Sequence, residues 1–223
     1  ESTTSLVATS STTKKKKATG TGRKTGRRRS RPSPRERLLA SATNLFTTEG
    51  IRVIGIDRIL READVAKASL YSLYGSKDAL VVAYLENLDK NWREAWAERT
   101  KEMTDPEDKI LAFFDQCIDD CEKENFRGSH FQNAANEYPR PDTDSEKLIV
   151  ATVMAHRRWC QETLTALLDE KNGYPSASQA TRLPLALAGR RALPRLLRDA
   201  APLRTARDLA RQLLSAPPAD YSI

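Results

Sequence analysis

Lys67, Ser69, Tyr71 and Ser72 lie within six residues of one another and are interleaved with apolar Val65 and Leu70. At 3.6 residues per turn, Val65 and Leu70 share an inner face. Lys67, Ala68, Ser69, Tyr71 and Ser72 fall on the other side. That outer face is short, hydroxylic and basic. It fits a DNA major groove without steric conflict and offers donors to phosphates and base edges. In this reading Lys67 or Ser69 meets base edges, while the Tyr71 hydroxyl and the Lys77 ammonium hold phosphates. Lys77 also opens a helix whose dipole attracts phosphate.

Other chemistry has little support in the sequence. The only two histidines, His130 and His156, sit in no metal-ligand pattern. There is no His-Glu-x-x-His pair and no nucleophile elbow. Cys117 and Cys121 share one helix face but have no clear third ligand, so they read as buried core thiols. Gly20–Gly26 superficially resembles a phosphate-cradling loop. It misses the required spacings and has no strand before it. No metal and no cofactor are expected, and an enzyme would have to hide its chemistry in scattered carboxylates.

The elements that position the polar face are legible from pattern. Ser33-Pro34-Arg35-Glu36 has the form of a capping box with Pro at the first helical position. The helix it starts carries Leu38, Leu39, Ala42, Leu45 and Phe46 on one face and stops at Gly50. Ile56, Ile59, Leu60 and Ala63 form the stripe of a second helix, and small Ala63 permits a close crossing. Asp64 is the turn residue, because Asp tolerates the left-handed conformation. The run 55–74 is therefore a helix-turn-helix. Ser76 caps a fourth, longer helix with Val81, Tyr84, Leu85, Leu88, Trp92 and Ala95 in register.

Arg35–Leu85 resembles the N-terminal domain of the TetR family of transcriptional regulators. The matching pieces are Arg37–Phe46, Glu49-Gly50, Ile56–Ile59, Val65–Tyr71 and Tyr74–Leu80. Their order and spacing make the likeness specific. The resemblance implies a DNA-contacting set of Gly55, Ala66, Lys67, Ala68, Ser69, Tyr71, Ser72, Tyr74 and Lys77. Tyr74 reads equally well as core. The resemblance also implies a homodimer, a double-stranded DNA operator, a small-molecule effector and a repressor's role. The chain departs from the family where Asp64 replaces the usual Gly, where Gly55 and Ala66 replace Ser or Thr, and where Leu73 replaces a polar residue. The changes at 55 and 66 remove two hydroxyls suited to phosphate.

Charge divides the chain. Of its 223 residues and net +7, the first 35 carry eleven Lys or Arg against one Glu, or +10. The remainder has 26 basic and 29 acidic residues, or −3. Residues 1–32 are expected to be a disordered basic tail that binds polyanions, nucleic acid first. Residues 33–94 form the DNA-binding head, 95–216 a helical ligand-binding and dimerisation domain, and 217–223 a C-terminal tail. The fold class is all-α. The first residue is Glu1 rather than Met, so a few residues are expected to precede it. No secretory signal and no membrane-spanning run are found, which points to the cytosol of a prokaryote.

In the body, Asp105-Pro106 begins a helix with an apolar face through Cys121. Residues 126–138 read as a loop and a short helix ended by Pro139. A long helix runs from about Ser145 to Asp169 and is apolar almost all round at Leu148–Ala155, the mark of a central buried element. The last two helices span about 176–199 and 202–215. Pro184 and Pro194 interrupt the first, where interior Pro costs about 3 kcal/mol, so kinks or short pieces are expected. Most aromatic residues should be core. A cavity is expected to draw on Trp92, Phe113, Phe114, Cys117, Phe131, Asn133 and Trp159. The final stripe, Ala206, Leu209, Ala210, Leu213 and Leu214, is expected to join its predecessor in a four-helix interface with a second copy. A non-specific architectural DNA binder that uses the tail is the alternative.

Overall fold

The computed structural model describes residues 30–191 and 193–216, and all regular structure among them is helical. The expectations for residues 1–29, including Gly20–Gly26, and for 217–223 lie outside the described residues.

Helix α1, Pro34–Glu49, starts as its sequence dictates. The Ser33 hydroxyl accepts from the Glu36 amide at 3.2 Å, and the Glu36 carboxylate accepts from the Ser33 amide at 2.7 Å. Hydrogen bonding to Ser33 holds the Glu36 carboxyl below its usual range. Gly50 ends the helix at φ +107°, a region closed to most side chains. Helix α2, Ile56–Ala63, ends at Asp64, which adopts φ +51° and ψ +56° as expected of the turn residue. The Val65 amide then donates back to the Leu60 carbonyl at 3.1 Å. Helix α3, Lys67–Leu73, follows, and α4, Lys77–Thr100, begins with the Ser76 hydroxyl accepting from the Ala79 amide at 3.0 Å.

The body comprises α5 (Pro106–Lys123), α6 (His130–Glu137), α7 (Asp144–Asn172), α8 (Ala177–Arg191), α9 (Leu193–Leu197) and α10 (Ala201–Ser215). Asp105, Ser129 and Thr143 cap α5, α6 and α7 with side-chain oxygens. Pro194 and Pro202 fall in the first turns of α9 and α10, where a missing N–H costs nothing. Pro184 lies inside α8, which runs through it. The run 176–199, expected to be kinked or in short pieces, is thus in two pieces.

From Pro32 onward the described residues form one unit built on two apolar cores. One gathers Leu38, Leu45, Ile59, Leu70, Leu80 and Leu85 from α1–α4 and continues into Tyr138 beside α6 and into Ile149 and Val153 of α7. The other joins Trp96, Phe113 and Phe114 to Leu164 and Leu168 of α7 and to Leu203, Ala206, Ala210 and Leu214 of α10.

Three expectations are corrected. α7 is buried on one face only: Ile149, Val153, His156, Cys160 and Leu164 are inside, while Leu148 and Met154 are 55% and 47% exposed. Its neighbours α4, α5, α6 and α8 leave the opposite side uncovered. On α4 the inner face drifts, so Trp96 is buried and Ala95 is not. On α10 the inner stripe is Leu203, Ala206, Ala210 and Leu214, at helical spacing, which turns Leu209 outward and leaves Leu213 half-buried.

Candidate nucleic-acid interface

Leu70 is fully buried and fixes the rotation of α3 against α1 and α2. That rotation exposes Ala66, Lys67, Ala68, Tyr71 and Ser72 on one side, with Ser69 half-buried beside them. Tyr71 is 46% exposed. The result is the short, hydroxylic and basic surface anticipated from the spacing. Gly55 is exposed at the N-cap of α2. Its φ of −81° is ordinary, and a Cβ there would meet nothing within 4 Å. Neither Gly55 nor Ala66 supplies a side-chain cap to the helix it precedes.

Two members of the expected set have their polar ends turned into the head. The Tyr74 hydroxyl donates to the Arg35 carbonyl at 2.9 Å, and the Arg35 guanidinium lies over the Tyr74 ring at 4.8 Å. Lys77 does not point outward as a phosphate-holding side chain would. Its ammonium donates to the Ile51 carbonyl at 2.7 Å, 6.0 Å from the centre of the Phe46 ring. Burial lowers its pKa from the usual value. The reason is local: α1 ends beside the start of α4, and the Ile51 carbonyl, which the Ile54 amide reaches at 3.4 Å, takes the ammonium as a closer donor.

Two residues that hold α2 and α3 in place were missing from the expected set. Arg37 donates from Nε to the Ala63 carbonyl and from Nη2 to the Asp64 carbonyl, both at 3.0 Å. Arg35 donates to the Leu73 carbonyl at 2.7 Å. Each guanidinium therefore closes the C-terminus of another helix, α2 or α3, and sets the angle between the two.

The head is tied to the body at the end of α6. The Glu137 carboxylate accepts from the Ile51 amide at 2.9 and 3.0 Å and from the Arg52 amide at 2.7 Å. Arg52 Nε donates back to the Glu137 carbonyl at 2.6 Å, and its guanidinium pairs with Glu146 at 3.0 Å. Gly50 makes room for this: a Cβ there would stand 3.3 Å from the Glu137 carboxylate. Arg127 adds a bond to the Thr48 carbonyl at 2.6 Å.

A cavity of about 290 Å³ opens between α4, α5, α6 and α7. Trp92, Cys117 and Phe131 line it as expected. Phe113 and Phe114 do not, being fully buried in the body core. Asn133 faces a separate groove, where it donates to the Arg127 carbonyl and accepts from Arg195, both at 3.1 Å. Trp159 stands outside the lining, with the Arg93 guanidinium 4.6 Å above its ring. The sequence reading missed Gln116, Asp120 and Glu124, which line the wall at every fourth residue along α5. His156 also lines it, stacked on Phe131 at 3.7 Å between ring centres and 2.7 Å from an Asp89 oxygen.

This architecture has close counterparts. Residues 38–84 match the family described as bacterial regulatory proteins, tetR family. The structure of a TetR-family transcriptional regulator from Streptomyces coelicolor superposes over 82% of this chain and 94% of its own, at 31% identity and a TM-score of 0.74. The chain belongs to the TetR family. The reduced form of NemR from Escherichia coli shares the fold over 82% of this chain and 99% of its own, with a TM-score of 0.69 and 22% identity. Among curated relatives, the HTH-type transcriptional regulator LmrA of Bacillus subtilis is 30% identical over 95 residues, 40% of this chain. The HTH-type transcriptional repressor NemR of E. coli K12 is 33% identical over 89 residues, 38% of this chain. The chain spans 50% and 43% of the lengths of these two. Among the described residues no helix is long and apolar enough to cross a membrane.

Proposed function

We propose that this TetR-family chain is a sequence-specific DNA-binding regulator that acts as a homodimeric repressor released by a small molecule. The observation that carries the reading is the α3 face. Lys67, Ala68, Tyr71 and Ser72 are solvent-exposed on a helix pinned by Leu70 and by the left-handed turn at Asp64. No structural task inside the head claims their side chains, so they are free to read a groove. Lys67 and Ser69 meet base edges, and Tyr71 meets a phosphate or base.

Two helices connect the cavity to the head. α4 begins in the head at Lys77 and lines the cavity with Leu88 and Trp92. α6 lines it with His130 and Phe131 and ends at Glu137, which grips the loop after α1. A ligand that fits one spacing of α4 and α6 better than another shifts the head between two positions. It must discriminate between those states in affinity, or it moves nothing.

The experiment is selection of bound fragments from a random DNA pool by the purified chain, followed by sequencing and titration at fixed salt. Enrichment of a two-fold-related site is expected. Tyr71→Ala should weaken binding to that site by about 1–3 kcal/mol and leave the helical circular-dichroism signal unchanged. Unaltered affinity would remove Tyr71 from the interface, and a pool without enrichment would leave only non-specific binding.

A further inference from the structure

The cavity wall carries the polar side chains of Asn91, Gln116, Asp120, Glu124, Ser129 and two histidines, and the fixed charges among them, on Asp120 and Glu124, are both negative. Gln116 is 98% buried, and its Nε2 donates to the Trp92 carbonyl at 3.0 Å. Its Oε1 is fully shielded and has no hydrogen-bond partner, although Gln116 lines a cavity. A buried acceptor left in this state costs roughly what a lost hydrogen bond does, and a ligand donor would recover it. One turn along α5 stands the Asp120 carboxylate, and one turn further the Glu124 carboxylate. Among the described residues no Lys or Arg lines the cavity. The two histidines there each face a carboxylate of their own: His130 lies 2.5 Å from Glu124, and His156 lies 2.7 Å from Asp89. Among the described residues, Asp120 is therefore the lining carboxylate that faces neither a histidine nor a Lys or Arg of the wall. The Trp92 side chain donates a hydrogen bond to it, and the Lys123 charge also acts on it.

Apart from Asn91 and Ser129, the remaining wall is aromatic or apolar, with the Cys117 and Cys121 thiols among its members. Trp92 stands edge-on to His156 at 6.0 Å between ring centres, and the Phe131 ring is stacked on the same imidazole. Acceptors on one wall and π faces on the other select for a positive charge carrying N–H donors, attached to a flat apolar body. The volume, about 290 Å³, is at the low end for small-molecule sites, roughly 300–1,000 Å³.

We propose that this cavity binds small arylalkylamines in their protonated form, the ammonium at Asp120 and within reach of Gln116 Oε1 once that amide turns toward the cavity, and the ring against Trp92. A neutral isostere forfeits the ion pair, and a carboxylate is repelled by Asp120 and Glu124. Burial raises the pKa of Asp120, and the nearby Glu124 charge raises it further, which is the state an incoming cation relieves. The proposal rests on the regulator reading only for the consequence on DNA, since binding to the cavity stands or falls by itself.

The test is calorimetric titration of the full chain, without DNA, with two matched sets. One is naphthylmethylamine, naphthalenemethanol and naphthoate; the other is phenethylamine, phenethyl alcohol and phenylacetate. Each amine should bind saturably, at least about tenfold tighter than its alcohol, and the carboxylates should not bind. Asp120→Asn should weaken the amines by about 10- to 100-fold and leave the alcohols unchanged, and Gln116→Met should weaken the amines by a smaller factor. The ranking on the unaltered protein is decisive even if a variant fails to fold. An alcohol or carboxylate that equals its amine, amine binding indifferent to Asp120→Asn, or no saturable binding by either amine overturns the proposal. A second titration on the selected DNA separates the two readings. Amines that bind through Asp120 but leave DNA affinity unchanged uphold the ligand class and refute effector control.

Discussion

Arg35 and Arg37 stand in the first turn of α1, where positive charge opposes the helix dipole. Their cost to α1 is offset at the C-termini of α3 and α2, whose last carbonyls they bind. Basic side chains near the DNA face are thus of two kinds. Lys67 is exposed and unengaged by the head core, whereas Arg35, Arg37 and Lys77 are structural. Ala66 illustrates the opposite situation, a position whose backbone is ready for a side chain it lacks. Its φ of −70° and ψ of 148° are those of an N-cap, yet no side-chain oxygen reaches the first turn of α3. Ala66→Ser supplies that oxygen. It should stabilise the protein by about 1 kcal/mol and raise the urea midpoint without changing the slope of the transition. It should also strengthen operator binding, since the new hydroxyl stands on the exposed side. A midpoint at or below that of the parent would show that the α3 amides are already satisfied.

Among the elements, α6 is the shortest link between cavity and head. The helix is eight residues long, with His130, which lines the cavity, at its start and Glu137, which holds the Ile51 and Arg52 amides, at its end. Glu137→Gln keeps the shape but replaces one acceptor oxygen by an NH₂ group facing backbone donors. The loss should be about 1–3 kcal/mol. Hydrogen exchange at Ile51 and Arg52 should quicken more than at Leu45 in the middle of the head core, and equal acceleration at both places would mean global unfolding rather than a released seam. The sequence foretold α1 to α4 well because Ser33 and Ser76 cap α1 and α4, the Asp64 turn separates α2 from α3, and α1 and α2 each carry a regular apolar stripe. It could not foretell Glu137, since a carboxylate 86 residues from its partner amide leaves no periodic signal. α7 misled for a related reason: composition at Leu148–Ala155 records apolar residues, not how many neighbours cover them. The cavity was half legible. Its aromatics stood out, but Phe113 and Phe114 went to the core, while Gln116 and Asp120 read as ordinary polar positions on an amphipathic helix.

At the scale of the whole molecule, the proposed homodimer has to hold two heads at a fixed distance. A single recognition helix covers too few base pairs for a regulator's specificity, and two-fold pairing at about 34–36 Å places both in successive turns of one DNA face. In the single chain, α8 and α10 pack on each other and on the body, yet each keeps a large apolar residue outside. Leu185 on α8 is 59% exposed and Leu209 on α10 is 36% exposed. Leu213, assigned to the same outer face from sequence, is half-buried, so charge placed there would damage the subunit itself. Leu185 and Leu209 are the better probes, because neither contributes to the buried stripe of Ala206, Ala210 and Leu214. Leu185→Glu combined with Leu209→Glu puts like charges on both copies of a two-fold interface, where each residue meets the symmetry-related surface. The double variant should keep its helical content, sediment as a monomer, and bind a full operator no more tightly than a half-site. A variant that remains dimeric by sedimentation would place the interface elsewhere. The exposed Leu148 and Met154 of α7 would then be the surface to charge next, and a monomer that still held the full operator tightly would show that one head suffices.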